Sequence, residues 1–318
     1  MRSDVAPPQT KASRASSRDL IRSSVGRHAT APGSTTTLFE GVELFRVEAP
    51  FERTPGIYAP CVCAIVAGEK IVRIEDAVHV FGEDRYVCAT LPTPVLADVP
   101  NATPSSPLLG VIIRLHTHTV SRLVLEAQVA HGTLPTSDGP RPGLDTAARD
   151  SRFDVALAGL LELLDDPPAA AVLGEGRLRE VLYAILLGEA GERVRTDFGR
   201  APALATTLAH LHTHIAEDFS VDALARRAGM SRAAFDRQFK ATTLLSPLQY
   251  IKALRLHEAS MRLAQGEGVG EAATAVGYHN ASQFSREFRR KFGASPRQWA
   301  QRARDIAPAG VDPLHRAP

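Results

Sequence analysis

The chain has 318 residues, 44% hydrophobic and 23% charged, with a net charge of +2 and three cysteines, Cys61, Cys63 and Cys88. That length suffices for two domains that each bury a core. So sparse and odd a cysteine set excludes a disulfide framework, and no apolar run reaches the roughly 18 residues of a membrane span, so a cytoplasmic protein is expected. The charge is unevenly placed. Residues 1–33 hold 6 basic and 2 acidic side chains, 34–195 hold 14 and 22, and 196–306 hold 16 and 10. An acidic middle joined to a basic C-terminal part is the asymmetry of a chain in which one domain meets a polyanion.

Residues 1–33 are rich in Ser, Ala, Arg and Pro, and a disordered basic tail is expected there, with an arm lying against nucleic acid as the alternative. From Leu38 to Leu115, short runs such as VELFRV, CVCAIVA and LLGVIIRL alternate with Gly, Pro and Asp turn signals. They read as strands of a small antiparallel barrel, assigned to residues 34–130, whose interior could hold a small ligand. Helical periodicity begins at Val120, where Val120, Leu123, Val124 and Ala127 share a face. Residues 131–146 read as a loop, and two further helices follow, one with Phe153, Leu157, Leu160, Leu161 and Leu164, the other from about Leu178 to Leu187. Residues 131–195 are therefore assigned as a helical linker that also dimerises the chain.

The region 196–306 reads as helix throughout, and 307–318 as a short tail. Within it AFDRQFKATTLLSPLQY and QFSREFRRKFGASPRQW repeat one pattern: Phe235, Arg237, Phe239, Ser246, Pro247 and Gln249 recur 49 positions later as Phe284, Arg286, Phe288, Ser295, Pro296 and Gln298. Each copy follows a short apolar helix and a Gly turn, Gly229 or Gly277, and each Ser-Pro starts another helix. Helix, Gly turn, capped helix is the helix-turn-helix pattern. With Phe235 and Phe239 buried one turn apart, Arg232, Ala233, Asp236, Arg237 and Lys240 must point outward, and in the second copy Ala281, Ser282, Ser285, Arg286 and Arg289 do so. Small residues beside arginines suit a helix entering the major groove, where Arg can take both acceptors of a guanine edge.

These motifs, through LARRAGMSRAAFDRQFK, SPLQYIKALRLHEASMRL and VGYHNASQFSREFRRKFGASPRQW, resemble the DNA-binding domain of the AraC/XylS family of bacterial transcription regulators. The resemblance covers about 200–303. It implies two helix-turn-helix units joined by one long helix, from Pro247 to about Leu263 with Leu248, Ile251, Leu254 and Leu263 packing. It also implies that Ala233, Asp236, Arg237, Ala281, Ser282 and Arg286 face bases. One departure is that the family places Gly before the Ser-Pro of the first copy, where this chain has Leu244; a left-handed leucine or a reshaped helix end is expected. The segment from about 38 to 190 is similar to the cupin-like sensor of one AraC branch. The fold class expected is α+β: an N-terminal cupin-like β-barrel with helices, then an all-α double helix-turn-helix domain. The implied partners are double-stranded promoter DNA, RNA polymerase, a small-molecule effector and a second copy of the chain.

Other constellations are weaker. Gly110, His116 and His118 match the first half of a metal-binding cupin pattern, but the Glu that should follow is absent. Cys61 and Cys63 alternate on a strand and so share a face, which makes them candidate sensors of an electrophile. His210, His212 and His214 alternate on a helix and are expected to be scattered. A DNA-repair methyl acceptor on the same scaffold needs four zinc-binding cysteines, and a cupin enzyme needs the missing Glu. No catalytic set is present, so no enzyme, cofactor or metal is expected.

Overall fold

The computed structural model describes residues 11–305, except 75–76, 133, 135–142 and 201, so the tail expected at 307–318 lies outside the described residues. It opens with helix α1 (Lys11–His28), inside the stretch expected to be a disordered tail. The composition misled because the buried stripe is built from small residues as well as apolar ones: Ser17, Ile21, Ser24 and Val25 are all buried, at helical spacing. Arg18 Nε donates to Asp154 at 2.8 Å and Ser24 Oγ to the Leu161 carbonyl at 3.2 Å, so the helix is fastened to the rest of the domain by bonds as well as packing.

Strands β1 (Gly33–Thr36), β2 (Val42–Val47), β3 (Phe51–Tyr58), β4 (Cys61–Ala67), β5 (Lys70–Ile74), β6 (Ala77–Phe81), β7 (Arg85–Ala89), β8 (Thr93–Val99) and β9 (Leu108–Arg114) come next. After α2 (Thr117–His131), β10 (Leu144–Ala148) adds a strand that begins within the stretch that reads as a loop. Its sequence, LDTAA, is too small and polar to signal a strand alone; pairing with β7 makes it one. The strands form two antiparallel sheets, in the orders β1-β2-β9-β4-β7-β10 and β3-β8-β5-β6, packed face to face rather than closed into the expected barrel.

Strand β4 shows how the layers arise. Cys61, Cys63 and Ile65 point between the sheets, and Val62, Ala64 and Val66 point the other way, against helices. Both faces are buried, so the run is apolar throughout instead of alternating. Gly110, opposite Phe45 on the neighbouring strand β2, has no room for a side chain: a Cβ there would lie 2.3 Å from the Phe45 ring. The glycine singled out by the cupin pattern is thus explained by packing.

The outer face of the larger sheet is covered by α1, α2, α3 (Ser151–Glu162) and α4 (Pro167–Leu187), with Phe153, Leu157, Leu160 and Leu161 in the core. Helix α4 starts eleven residues before the periodic stretch at Leu178, capped by Asp166 with prolines in its first turn. Helix α5 (Gly191–Arg195) and a π-helical turn lead into the C-terminal helices: α6 (Pro202–Thr213), α7 (Val221–Arg227), α8 (Arg232–Thr243), α9 (Pro247–Ala264), α10 (Val269–Ala275), α11 (Ala281–Phe292) and α12 (Pro296–Asp305). These carry two cores. One joins Leu208, Leu211, Leu224, Phe235, Phe239 and Leu254; the other joins Leu263, Ala272, Val276, Phe284 and Phe288. Of the packing residues expected on α9, Ile251, Leu254 and Leu263 are buried, but Leu248 is 58% exposed.

Candidate nucleic-acid interface

Each repeat folds as the same device. Ser220 caps α7, accepting the Ala223 N–H at 3.1 Å, and Ser231 caps α8 through the Ala234 N–H at 3.3 Å. In the second unit Asn280 takes the Ser231 role for α11, accepting from Gln283 at 2.9 Å, while Gly268 begins α10 without a side-chain oxygen. The turns between helices need positive φ, +65° at Gly229 and +82° at Gly277, which glycine adopts without penalty. The helices after the reading-helix candidates start on reciprocal capping boxes: Ser246 with Gln249, at 3.0 and 3.4 Å, and Ser295 with Gln298, at 2.9 and 3.3 Å.

Aromatic pairs fix how α8 and α11 are rotated. Phe235 and Phe239 are fully buried with centroids 5.2 Å apart, and Tyr250 closes edge-on against Phe239 at 5.3 Å. Phe284 and Phe288 sit 5.5 Å apart, with Trp299 against Phe288 at 6.0 Å. That rotation exposes Arg232, Ala233, Arg237 and Lys240 in one unit and Ala281, Ser282, Arg286 and Arg289 in the other; Asp236 and Ser285 are half-buried at the edges of those faces. The candidate residues are therefore gathered on two helix faces.

Their electrostatic states differ. Arg232 is held by Asp222 at 2.9 Å and Asp236 at 2.8 Å, and those two carboxylates raise its pKa. Arg237, Lys240, Arg286 and Arg289 make no salt bridge among the described residues. Leu244 ends α8 in the left-handed region at φ 63°, where α11 ends on Gly293 at φ 73°. The leucine is accommodated as it stands, and its side chain lines a crevice with Ile74, Leu91, Pro92 and Tyr250.

That crevice belongs to a seam between the two parts of the chain that the motifs do not announce. The Tyr250 hydroxyl donates to the Pro92 carbonyl, Gly143 N–H donates to the Thr242 carbonyl at 2.7 Å, and His257 Nδ1 lies 3.1 Å from the Gly56 carbonyl. Ile57 from β3 and Leu91 from the β7–β8 connection are buried in the same core as Phe235 and Phe239. Backbone acceptors dominate these bonds, and backbone partners leave no residue-type signal.

The remaining candidates are placed otherwise. Strand β9 ends at Arg114, so His116 and His118 do not alternate on a strand: His116 occupies the N-cap position of α2 and both are exposed. Among the described residues no three His, Cys, Asp or Glu side chains gather as a metal site. Cys61 and Cys63 share the face between the sheets, as their spacing implies, but both are 0% exposed. Cys88 faces the helices, and burial pushes its thiol up to about 12. His210 and His214, expected to be scattered, lie 4.1 Å apart with their rings tilted at 41°, because they are one helical turn apart. No described helix is long and apolar enough to cross a membrane.

Two capped helix-turn-helix units with basic outward faces, behind a double-sheet domain, define a DNA-binding transcription regulator with an N-terminal accessory domain. The family model for the AraC-type transcriptional regulator N-terminus matches residues 38–193, and a helix-turn-helix domain model matches 224–302. The chain belongs to the AraC/XylS family of transcriptional regulators. It is 32% identical over 145 residues to the transcriptional activator RhaS of Escherichia fergusonii, a match covering 45% of this chain and 52% of RhaS. It is 31% identical over 103 residues to the transcriptional regulator AlkR of Acinetobacter baylyi, covering 32% and 34%. The chain thus spans about half or less of the length of these curated relatives. The solved structure of ToxT from Vibrio cholerae has the same fold, with a TM-score of 0.52 at 9% identity over 82% of this chain and 97% of that one.

Proposed function

We propose that the protein is a cytoplasmic, non-catalytic regulator that reads promoter DNA with α8 and α11 in successive major grooves on one side of the duplex. In this reading it works as a homodimer, its N-terminal domain responds to a small-molecule effector, and the DNA-bound form meets RNA polymerase. The observation that carries the DNA reading is the recurrence of Arg237 and Arg286. Both project from the outward face of a capped helix beside small residues, and neither is ion-paired among the described residues.

Ala233, Ala281 and Ser282 allow close approach of the helix, and Arg237 and Arg286 offer the fork that fits the N7 and O6 of guanine. Lys240 and Arg289, one turn further along, meet phosphates, which position the helix without specifying sequence. Arg232 braces Asp236 and the start of α8 through its two carboxylate partners. The effector's influence reaches α8 and α9 through the seam, where Pro92 and Gly143 hold Tyr250 and Thr242.

The test is fluorescence anisotropy on a duplex enriched from a random library by the full-length protein. Arg237→Ala and Arg286→Ala should each weaken binding by about 1–3 kcal/mol and relax preference at one base pair. Equal losses on every sequence would reassign both residues to phosphate contact.

A further inference from the structure

The helix joining the two units carries two cations that hold the second unit in place. Lys252 and Arg255, three residues apart on α9, lie on one face of it. Arg255 uses its whole fork on backbone carbonyls. Nε donates to Ile215 at 3.0 Å and Nη2 to Glu217 at 2.7 Å, both in the segment entering α7; Nη1 donates to Gly277 at 3.1 Å, in the turn of the second unit. The units also meet directly there, since a Cβ on Gly277 would lie 2.6 Å from the Ala216 carbonyl oxygen. Lys252 Nζ reaches Glu287 on α11 at 3.0 Å. The same carboxylate accepts the Tyr278 hydroxyl at 2.8 Å and the Gln283 amide at 3.2 Å. The first copy has Gln238 at the corresponding position, so this charged fastening belongs to the second unit.

We infer that Arg255, supported by the Lys252–Glu287 pair, fixes the separation and angular phase of α8 and α11 and thereby sets the operator spacing the protein accepts. The inference rests on the reading of those two helices as the DNA readers. One inserted base pair displaces the second half-site by about 3.4 Å along the axis and turns it by roughly 35°. A single helix could flex to follow such a shift. A guanidinium bonded at once to the first unit's entry segment and the second unit's turn resists it, because any relative movement breaks charge-assisted bonds.

The experiment uses the full chain and three duplexes: the enriched site, and that site with one base pair inserted or deleted between the two contacted blocks. Wild-type protein should lose about tenfold or more in affinity on either shifted duplex. Arg255→Gln should bind the original site about tenfold less tightly and distinguish the three duplexes by less than about threefold. Glu287→Gln keeps the side-chain shape and leaves Arg255 intact, and should move the ratios the same way by a smaller factor. Wild-type tolerance of the shifts would overturn the proposal, as would variants that weaken on all three duplexes by one common factor. Should Arg255→Gln unfold below the assay temperature, Glu287→Gln decides alone, and unchanged spacing ratios refute the idea. The underlying reading fails separately, by unchanged base preference in Arg237→Ala and Arg286→Ala.

Discussion

Leu244 and Gly293 end equivalent helices in the same left-handed conformation, one with a branched side chain and one with none. A Cβ on Gly293 would meet nothing within 4 Å, so Gly293→Ala isolates the backbone penalty and should cost about 1 kcal/mol in thermal unfolding. Leu244→Gly runs the other way: relief of about 1–2 kcal/mol of strain is offset by roughly 0.4–1 kcal/mol of added unfolded-state entropy and by the leucine's lost contacts in the crevice, so no rise in Tm is expected. Glu287 supplies a pH signature. Burial opposes its charge, but the bonds from Tyr278, Lys252 and Gln283 outweigh burial and hold the carboxyl below its ordinary value of 4.5. A depressed folded pKa means its contribution is complete above that value and lost as pH falls below it. Denaturant midpoints followed from neutral pH to below 4.5 should hold level down to that value and then fall in the wild type, and Glu287→Gln should flatten the fall.

Elements differed in how openly the chain declared them. The C-terminal helices were legible because their signals are local: Ser220, Ser231, Ser246 and Ser295 at helix starts, Gly229 and Gly277 at turns, and apolar residues at a period near 3.6. Helix α1 was not, because Ser17 and Ser24 hold buried positions that a hydrophobic pattern counts as polar. Strand β10 is defined by its partner and not by its own residues. The outward-facing residues of α8 and α11 could be listed from the Phe spacing alone, whereas the seam and the Arg255 fork could not, since their acceptors are main-chain carbonyls. Deleting residues 1–33 removes Ile21 and Val25 from the core, and at about 1.5–3 kcal/mol for each buried side chain the N-terminal domain should lose roughly 3–6 kcal/mol. A fall of many degrees in the first calorimetric transition checks this; an unchanged Tm would return α1 to the status of a tail.

At the scale of the whole molecule, the two units are attached asymmetrically. The first is held to the N-terminal domain through Tyr250, Thr242 and His257, and the second is held to α9 and to the first unit through Arg255, Lys252 and Trp299. Tyr250→Phe keeps the ring against Phe239 but removes the donor to Pro92, and should loosen the seam by about 1 kcal/mol. Two calorimetric transitions drawing apart would report that loosening; a single shifted transition would show that the seam is held elsewhere.

Trp299 is the only tryptophan in the chain, and it lies against Phe288 and Phe292 with its indole N–H on the Ser260 carbonyl at 3.1 Å. The protein therefore carries a built-in optical probe whose signal comes from the second unit alone. Under the proposed two-groove reading, emission followed during titration with unlabelled promoter fragments registers the arrival of that unit at the DNA, while any signal from a labelled duplex registers either one. A lag between the two traces measures, without modification of the chain, whether one half of the double reader lands before the other.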